Sequence, residues 1–321
     1  TFLISLEKLR NSFLLVRNRT CRLISMLNLL KIQDYMQRAT RGEVTISPSA
    51  TQDFADECKE SVDIQLNRKR EYRIRMSGLG RPLCQQLLER SGLVEEMDYN
   101  ALFRFLFGDL VESVAVLIME QAGVEIVEKQ KAVSLNIAGQ TINGTLDLIL
   151  RDEMGIDKVW DVKSASEWAF KFKYTGYGGY DKIKEDDPFG YIMQGHLYAE
   201  ATGLPFGGWI VINKSSGEVA MVEAPDWQDE DRRIYMADAE KRVKRLIDPN
   251  PDFVKPFKSE FETYKVKSEV VRTGNKTLPK ICSMCGYRSH CWSKSKLFDK
   301  VTSKAKNPPQ VWYDVLKKKA I

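Results

Sequence analysis

The sequence predicts an α/β fold with three consecutive strands at the heart of a sheet and helices before and after them in the chain. Three observations carry this. Two apolar segments of strand length, Gly144–Leu150 and Lys158–Lys163, are separated by a polar connection at 151–157. An apolar helix-length segment, 100–121, precedes them and is closed by Gly123. A second helical segment, 227–247, is acidic at its start and basic at its end, matching the helix macrodipole.

The central strands carry charges where packing alone would not place them. Asp147 lies in the first, and Asp161 and Lys163 in the second. Side chains alternate across a strand, so Asp161 and Lys163 share a face while Trp160 and Val162 take the other. Burying such groups costs several kcal/mol unless they are paired or bind a metal. An edge strand with solvated charges is the plain reading, and a polar centre the functional one.

Of 321 residues, 49 are Lys or Arg and 44 Asp or Glu, giving a net charge of +5. This permits a nucleic-acid partner without requiring one. No run of eighteen apolar residues occurs, so no helix is expected to span a membrane.

Residues 1–28 are basic and suit a targeting peptide, sequence upstream of a true start at Met26, or an ordinary basic helix. Residues 45–51 read as a loop, and 52–73 as an amphipathic helix running into Arg68, Lys69, Arg70, Arg73 and Arg75, taken as a solvated face. A turn at 76–82 leads into a short helix, 83–90, with Cys84 in its first turn. On helix 100–121, Glu112 has the small residues Gly108 and Ala115 one turn away on either side. Segments 125–137 and 141–150 form a hairpin that delivers Asp147.

Beyond Lys163, aromatics alternate with lysines and glycines: Trp168, Phe170, Lys171, Phe172, Lys173, Tyr174 and Tyr177. Rings that stack on bases and lysines that follow phosphates suit a single DNA strand; rings tucked under the sheet are the alternative. Asp186-Asp187-Pro188 opens a helix carrying Gln194 and Tyr198 on one face. Strands 208–213 and 218–223 follow. The last 29 residues, 293–321, are lysine-rich and read as a peripheral tail.

Cys282, Cys285 and Cys291 can reach one centre but need a fourth ligand, for which Cys84 is the candidate and His290 the rival. Three clustered cysteines plus one remote favour a [4Fe-4S] cluster over zinc. Cys21 and Cys58 are left over as free thiols.

Glu112 in Gly108-x-x-x-Glu112, then Asp147, then Asp161-Val162-Lys163, then Gln194-x-x-x-Tyr198 resemble, in that order, the PD-(D/E)XK nucleases of the RecB type. Cys84 with the C-terminal triplet resembles their iron-sulfur subgroup, which includes CRISPR-associated nucleases and exonucleases. The resemblance implies a restriction-endonuclease-like mixed sheet flanked by helices, its N- and C-terminal parts clipped by the four cysteines. The implied division is a basic extension at 1–50, a nuclease domain at 51–292 and the tail at 293–321. The implied function is a Mg²⁺- or Mn²⁺-dependent exonuclease acting on DNA ends in recombination, repair or phage DNA metabolism. Alternatives are an endonuclease or flap trimmer, and a catalytically silent DNA-binding subunit.

By the same resemblance, Glu112, Asp147, Asp161 and the Val162 carbonyl would ligate the metal. Lys163 would orient water or accept its proton, and Gln194 and Tyr198 would position the DNA or the lysine. Relatives often add an upstream metal-binding histidine, but the two histidines here, His196 and His290, do not fit that place. A threaded single strand and a strand-annealing or recombination partner protein are the implied partners. The implied compartment is the bacterial or phage-infected cytoplasm, or the mitochondrial matrix if residues 1–28 are a targeting peptide.

Overall fold

A computed structural model describes residues 27–67, 71–96, 98–225, 228–253 and 255–317. The expectations for residues 1–26, including Cys21, and for Arg68, Lys69, Arg70 and Trp227 lie outside the described residues. The chain forms two compact units. One comprises Gly80 and the residues before it together with Tyr99–Arg245; the other comprises Arg81–Asp98 and Leu246–Ile321.

The first unit is built on a mixed five-stranded sheet in the order β1-β2-β3-β4-β5, formed by Ile126–Ile137, Gln140–Arg151, Asp157–Ala165, Phe206–Asn213 and Val219–Glu223. Strands β1 and β2 meet through a tight turn in which Ala138 and Gly139 both take positive φ, 52° and 77°. This suits the twist of an antiparallel hairpin. Strand β3 is central, antiparallel to β2 and parallel to β4, with Leu148 opposite Trp160 and Asp161 opposite Trp209. The edge-strand reading of Asp161 and Lys163 is therefore excluded.

Helices cover both faces, as a strand with apolar residues on two sides requires. Helix α1 spans 27–39, α2 Pro48–Leu66, α3 Met76–Leu79 and α5 Tyr99–Gln121; α4, Leu83–Arg90, belongs to the second unit. Leu148, Trp160, Val162 and Ile210 pack against Ala115, Val116 and Met119 of α5. On the other side, Ala165, Trp209 and Val211 pack with Tyr180 and Ile183 of α7 (Tyr180–Glu185) and Ile192 of α8 (Tyr191–Thr202). Each fully buried aliphatic contributes about 1.5–3 kcal/mol.

Several boundaries differ from expectation for identifiable reasons. Helix α2 starts at Pro48, inside the expected loop, because the Ser47 hydroxyl accepts the Ala50 N–H and proline suits the first helical position. Residues 167–174 are helical. Glu167–Ala169 forms a helical turn, α6, capped by Ser166 and continued by a π-helical turn at Phe170–Tyr174. Helix α8 starts later than Pro188, where the Asp187 carboxylate accepts the N–H groups of Gly190, Tyr191 and Ile192. Gly190 takes φ 78° and lies against Gly80: a Cβ on either glycine would sit within 2.5 Å of the other's backbone. That contact fixes the start of the helix carrying Gln194 and Tyr198.

The second unit holds a four-stranded sheet in the order β6-β7-β9-β8, made of Glu260–Val266, Glu269–Thr277, Gln310–Val315 and Lys296–Asp299. The expected peripheral tail thus supplies two strands. Buried Glu262 ties three of them, accepting from Tyr313 Oη (2.7 Å), Asn275 Nδ2 (2.8 Å) and Thr273 Oγ1 (3.0 Å). Burial alone would raise its pKa; these hydrogen bonds outweigh it and hold the carboxyl below its ordinary value. Helix α9, Asp229–Ile247, leads into this unit; α4 carries Cys84, α10 (Lys280–Ser283) Cys282 and α11 (Arg288–Cys291) Cys291, with Cys285 between the last two helices. No helix among the described residues is long and apolar enough to cross a membrane.

His196 on α8 is fully buried, stacked on Tyr235 and bonded through Nε2 to Tyr180 Oη at 2.9 Å. The phenol donates its one proton to Asp231 Oδ2, so Nε2 must be the donor to the phenol and Nδ1, which has no partner among the described residues, is the bare lone pair. Protonating Nδ1 would place a charge in that setting, and burial lowers the pKa to about 4. Because the folded value lies below the unfolded one, this contribution is complete above about pH 6.5 and is lost as pH falls toward 4. Between pH 7 and 5 wild type should lose about 2 kcal/mol more unfolding free energy than His196→Gln. Equal losses in denaturant titrations would refute this.

Candidate active site

Three elements bring the charged residues of the central strands together. Asp161, 2% exposed, sits on β3 between Trp160 and Val162. Lys163, two residues on and on the same face, folds back so that its ammonium lies 2.9 Å from Asp161 Oδ1 and 2.8 Å from Oδ2. The same ammonium donates to the Val162 carbonyl at 3.0 Å and lies 3.9 Å from Asp147 Oδ2 on β2. Asp147 Oδ2 also accepts the Val162 N–H at 2.8 Å, locking the carboxylate to β3.

Helix α8 supplies the third side. Gln194 Nε2 donates to Asp161 Oδ1 at 3.2 Å, and Tyr198, also buried, senses the charges of Asp147 and Asp161. Tyr191, one turn before Gln194, places its ring 5.5 Å from the Lys163 ammonium. Sequence reasoning missed Tyr191, although its spacing from Gln194 and Tyr198 is that of one helix face.

The electrostatics follow from crowding three acids and one base in a buried place. Burial pushes the Asp161 carboxyl up to about 7, with Lys163 opposing and Asp147 reinforcing the rise. Burial likewise raises Glu112 of α5 well above its usual range, opposed by Lys163 and reinforced by Asp147 and Asp161. Glu112 therefore belongs to the cluster, whereas its neighbour Asp109 accepts a hydrogen bond from Gln65. Burial would lower Lys163, but Asp161, Asp147 and Glu112 outweigh it and hold the ammonium well above its ordinary pKa. The surrounding acids thus favour the protonated amine in this arrangement.

Among the described residues, no three His, Cys, Asp or Glu side chains are gathered so that they could hold a metal ion. The donor set nonetheless suits a hard cation. Asp161, Asp147 and the Val162 carbonyl all turn oxygens toward the Lys163 ammonium, which stands in for one. Asp161 Oδ2 is buried, and the Lys163 ammonium at 2.8 Å is the cation that faces it. With all four groups ionised, three carboxylates against one ammonium leave two negative charges uncompensated.

A cavity of about 920 Å³ opens beside the cluster and is lined by Asp147, Gln194 and Tyr198. The aromatic segment divides. Phe170 and Tyr174 are buried in the core and unavailable for stacking on a base, a correction to the expected DNA contacts. Trp168, Phe172 and Tyr177 are exposed, at 62%, 41% and 89%. The π-helical turn makes this division, and Lys173 is drawn to the Asp186 carbonyl while Lys171 lies over the Phe172 ring.

Comparison with known proteins adds little. No family model matches the chain, and no curated protein does. Among solved structures, a protein named SSO0001 aligns over 60% of this chain and 85% of its own at 16% identity and a TM-score of 0.36. A Eubacterium rectale protein provisionally named an exonuclease aligns over 64% of this chain and 86% of its own, at 11% identity and a TM-score of 0.32. At these scores the likeness is too slight to transfer a fold or an activity.

In the second unit Cys84, Cys282, Cys285 and Cys291 line one small apolar pocket together with Phe257, Ile281 and Trp292. His290, the alternative fourth ligand, is exposed and set edge-on to Phe253. Burial, then the neighbouring thiols Cys285, Cys291 and Cys282, push Cys84 up to about 11; burial raises the other three as well. Cys285 Sγ accepts the Tyr287 N–H at 3.4 Å. Cys58 on α2 is a free thiol apart from this group.

Gly144 shapes the wall between the cluster and β2, since a Cβ there would sit 2.7 Å from Tyr198 Cε1 and 3.1 Å from Met76 Sδ. Gly144→Ala should lower stability by about 1–3 kcal/mol and displace the Tyr198 ring. An unchanged melting temperature would show that the wall can yield.

Proposed function

We propose that this protein is a divalent-metal-dependent DNA exonuclease that hydrolyses phosphodiester bonds from DNA ends. The observation that carries the reading is the Lys163 ammonium ringed by Asp161, Asp147 and the Val162 carbonyl, with Gln194 on the same carboxylate. Asp147, Asp161 and the Val162 carbonyl, with Glu112 close by, would hold Mg²⁺ or Mn²⁺, the ions that favour oxygen donors. When bound, such an ion supplies an acidified water and positive charge for the phosphate.

The chain's own residues do the rest. Gln194 holds Asp161 in a fixed plane. Lys163, kept protonated by its acids, donates to a phosphate oxygen or orients the attacking water and offsets developing negative charge. Tyr198 and Tyr191 wall off the cluster and restrict water around it. Exposed Trp168, Phe172 and Tyr177, with Lys171 and Lys173, offer rings and cations to an unpaired strand. A single-stranded end, recombination or repair, a strand-annealing partner protein and a cytoplasmic setting fit this activity.

The four cysteines would hold a [4Fe-4S] cluster. Four thiols lining one apolar pocket, one of them accepting a backbone N–H, support this reading and leave His290 aside, although no three of them are gathered as closely as a metal centre requires. Its role would be structural, joining the Arg81–Asp98 and Leu246–Ile321 segments of one unit.

End-labelled linear DNA should be degraded with Mg²⁺ or Mn²⁺ while covalently closed circles survive, and Lys163→Ala should slow degradation by about 10²–10⁴. Equal attack on closed circles would indicate an endonuclease. Hydrolysis undiminished in Lys163→Ala would remove Lys163 from the site, and metal-independent DNA binding without turnover would favour a silent subunit.

Protein purified without oxygen should be brown and bleach on oxidation, and Cys84→Ser should lose the colour and lower the melting temperature. A colourless wild-type protein containing stoichiometric zinc would replace the cluster with a zinc site.

A further inference from the structure

The nuclease reading leaves unexplained the arginines that share the cavity beside Asp147. Arg73 and Arg75 precede α3 in a segment whose basic residues look, in sequence, like a solvated helix face. They are not on a helix: α2 ends at Leu66, and Arg75 pairs through its backbone, in parallel, with Asn143 of β2. Both line the same cavity as Asp147, Gln194 and Tyr198.

The geometry of β2 orders these groups. Asn143, Thr145 and Asp147 alternate with Ile142, Leu146 and Leu148, which are buried. The three therefore share the open face. Four residues along a strand span about 13 Å, so the backbone beside Arg75 lies well away from the catalytic carboxylate. An arginine there is placed for a phosphate other than the one being cut. Its side chain is exposed and makes no ion pair among the described residues, while Arg73 pairs only with Glu71, also exposed, at 2.9 Å. Ser77 and Thr145 add hydroxyls to the same lining. Guanidinium and hydroxyl groups are sequence-independent donors to phosphate and sugar.

Resting on the nuclease reading, we infer that Arg75, assisted by Arg73, is a positioning residue that holds a neighbouring phosphate of the strand being hydrolysed. That strand runs along the open face of β2, from Arg75 past Thr145 to Asp147. The substrate is then a polynucleotide held at two phosphates.

The test is fluorescence anisotropy of a labelled single-stranded oligonucleotide across a salt series, without added divalent cation. Full-length wild type, Arg75→Ala, Arg75→Lys and Arg73→Ala are compared, each checked for an unchanged melting temperature. Arg75→Ala should weaken binding about 10-fold and reduce the slope of log K against log salt by about 0.7, the single-strand value for one lost phosphate contact. Arg75→Lys should restore the slope. An oligonucleotide with a 5′-hydroxyl and one with a 5′-phosphate separate the two sources of phosphate: equal losses assign the contact to an internal phosphodiester, and a loss confined to the phosphorylated form assigns it to the terminus. Wild-type affinity and slope in Arg75→Ala would overturn the inference while leaving the nuclease reading standing. Wild type that binds no oligonucleotide would overturn both.

Discussion

The first unit depends on one ammonium group. Lys163 neutralises part of a carboxylate cluster placed on the central strand of a sheet, where water cannot do so. Without it, Asp161 would be a buried anion beside a second at Asp147, and such uncompensated charge costs several kcal/mol. The backbone takes part as well: Asp147 binds the Val162 N–H and Lys163 binds the Val162 carbonyl, so both backbone polar groups of one residue on β3 are tied to the cluster. The position of α8 is fixed separately by the contact of Gly80 with Gly190, which brings Gln194 to Asp161. Sheet, helix and charge cluster are therefore interdependent.

The second unit is held by different physics. It is assembled from chain segments separated by most of the first unit, and closing so long a loop carries an entropic cost that grows only slowly with length. Its sheet gains a buried, fully engaged carboxylate at Glu262 and an apolar cluster around Leu278, Cys282 and Trp292. Four thiols in one pocket would add a covalent constraint if a metal cluster joined them. Cys84 comes from the earlier segment and the other three from the later one, so such a bond would act on the loop whose closure is costly.

Much of the charge cluster was legible in the sequence because it breaks a packing rule. Asp161 and Lys163 interrupt an apolar strand, and the period of two fixes that they share a face. Gln194 and Tyr198 share a face at a spacing of four for the same kind of reason. Tyr191 was missed because an aromatic at a helix start carries no signal of what lies across from it. Phe170 and Tyr174 could not be told from Trp168 and Phe172 because a π-helical turn, not an alternation, decides which rings go inward. The strands Glu260–Val266 and Glu269–Thr277 do not alternate cleanly in sequence, Phe261 and Tyr264 being three apart and Val270 and Val271 adjacent; they meet at a two-residue turn where Lys267 takes φ 55°. Strands Lys296–Asp299 and Gln310–Val315 are hidden by the lysines around them; the first is an edge strand, where charge density resembles that of a solvated tail, and the second is interior but short.

The placement of charge gives the cavity a direction. Its lining includes Asp147, part of the carboxylate cluster, and two arginines from a segment anchored farther along the same strand. A small neutral ligand would gain little from such a division. A polyanion would be repelled by the acids unless a cation intervened, yet drawn in by the arginines without one. On the proposed reading, binding and reaction would answer to different groups: the arginines to the length of the anion, and the carboxylates to the cation that lets one phosphate approach them. That separation is what a sequence-independent hydrolase of a charged polymer needs, because the polymer must stay held while the position of cutting moves along it.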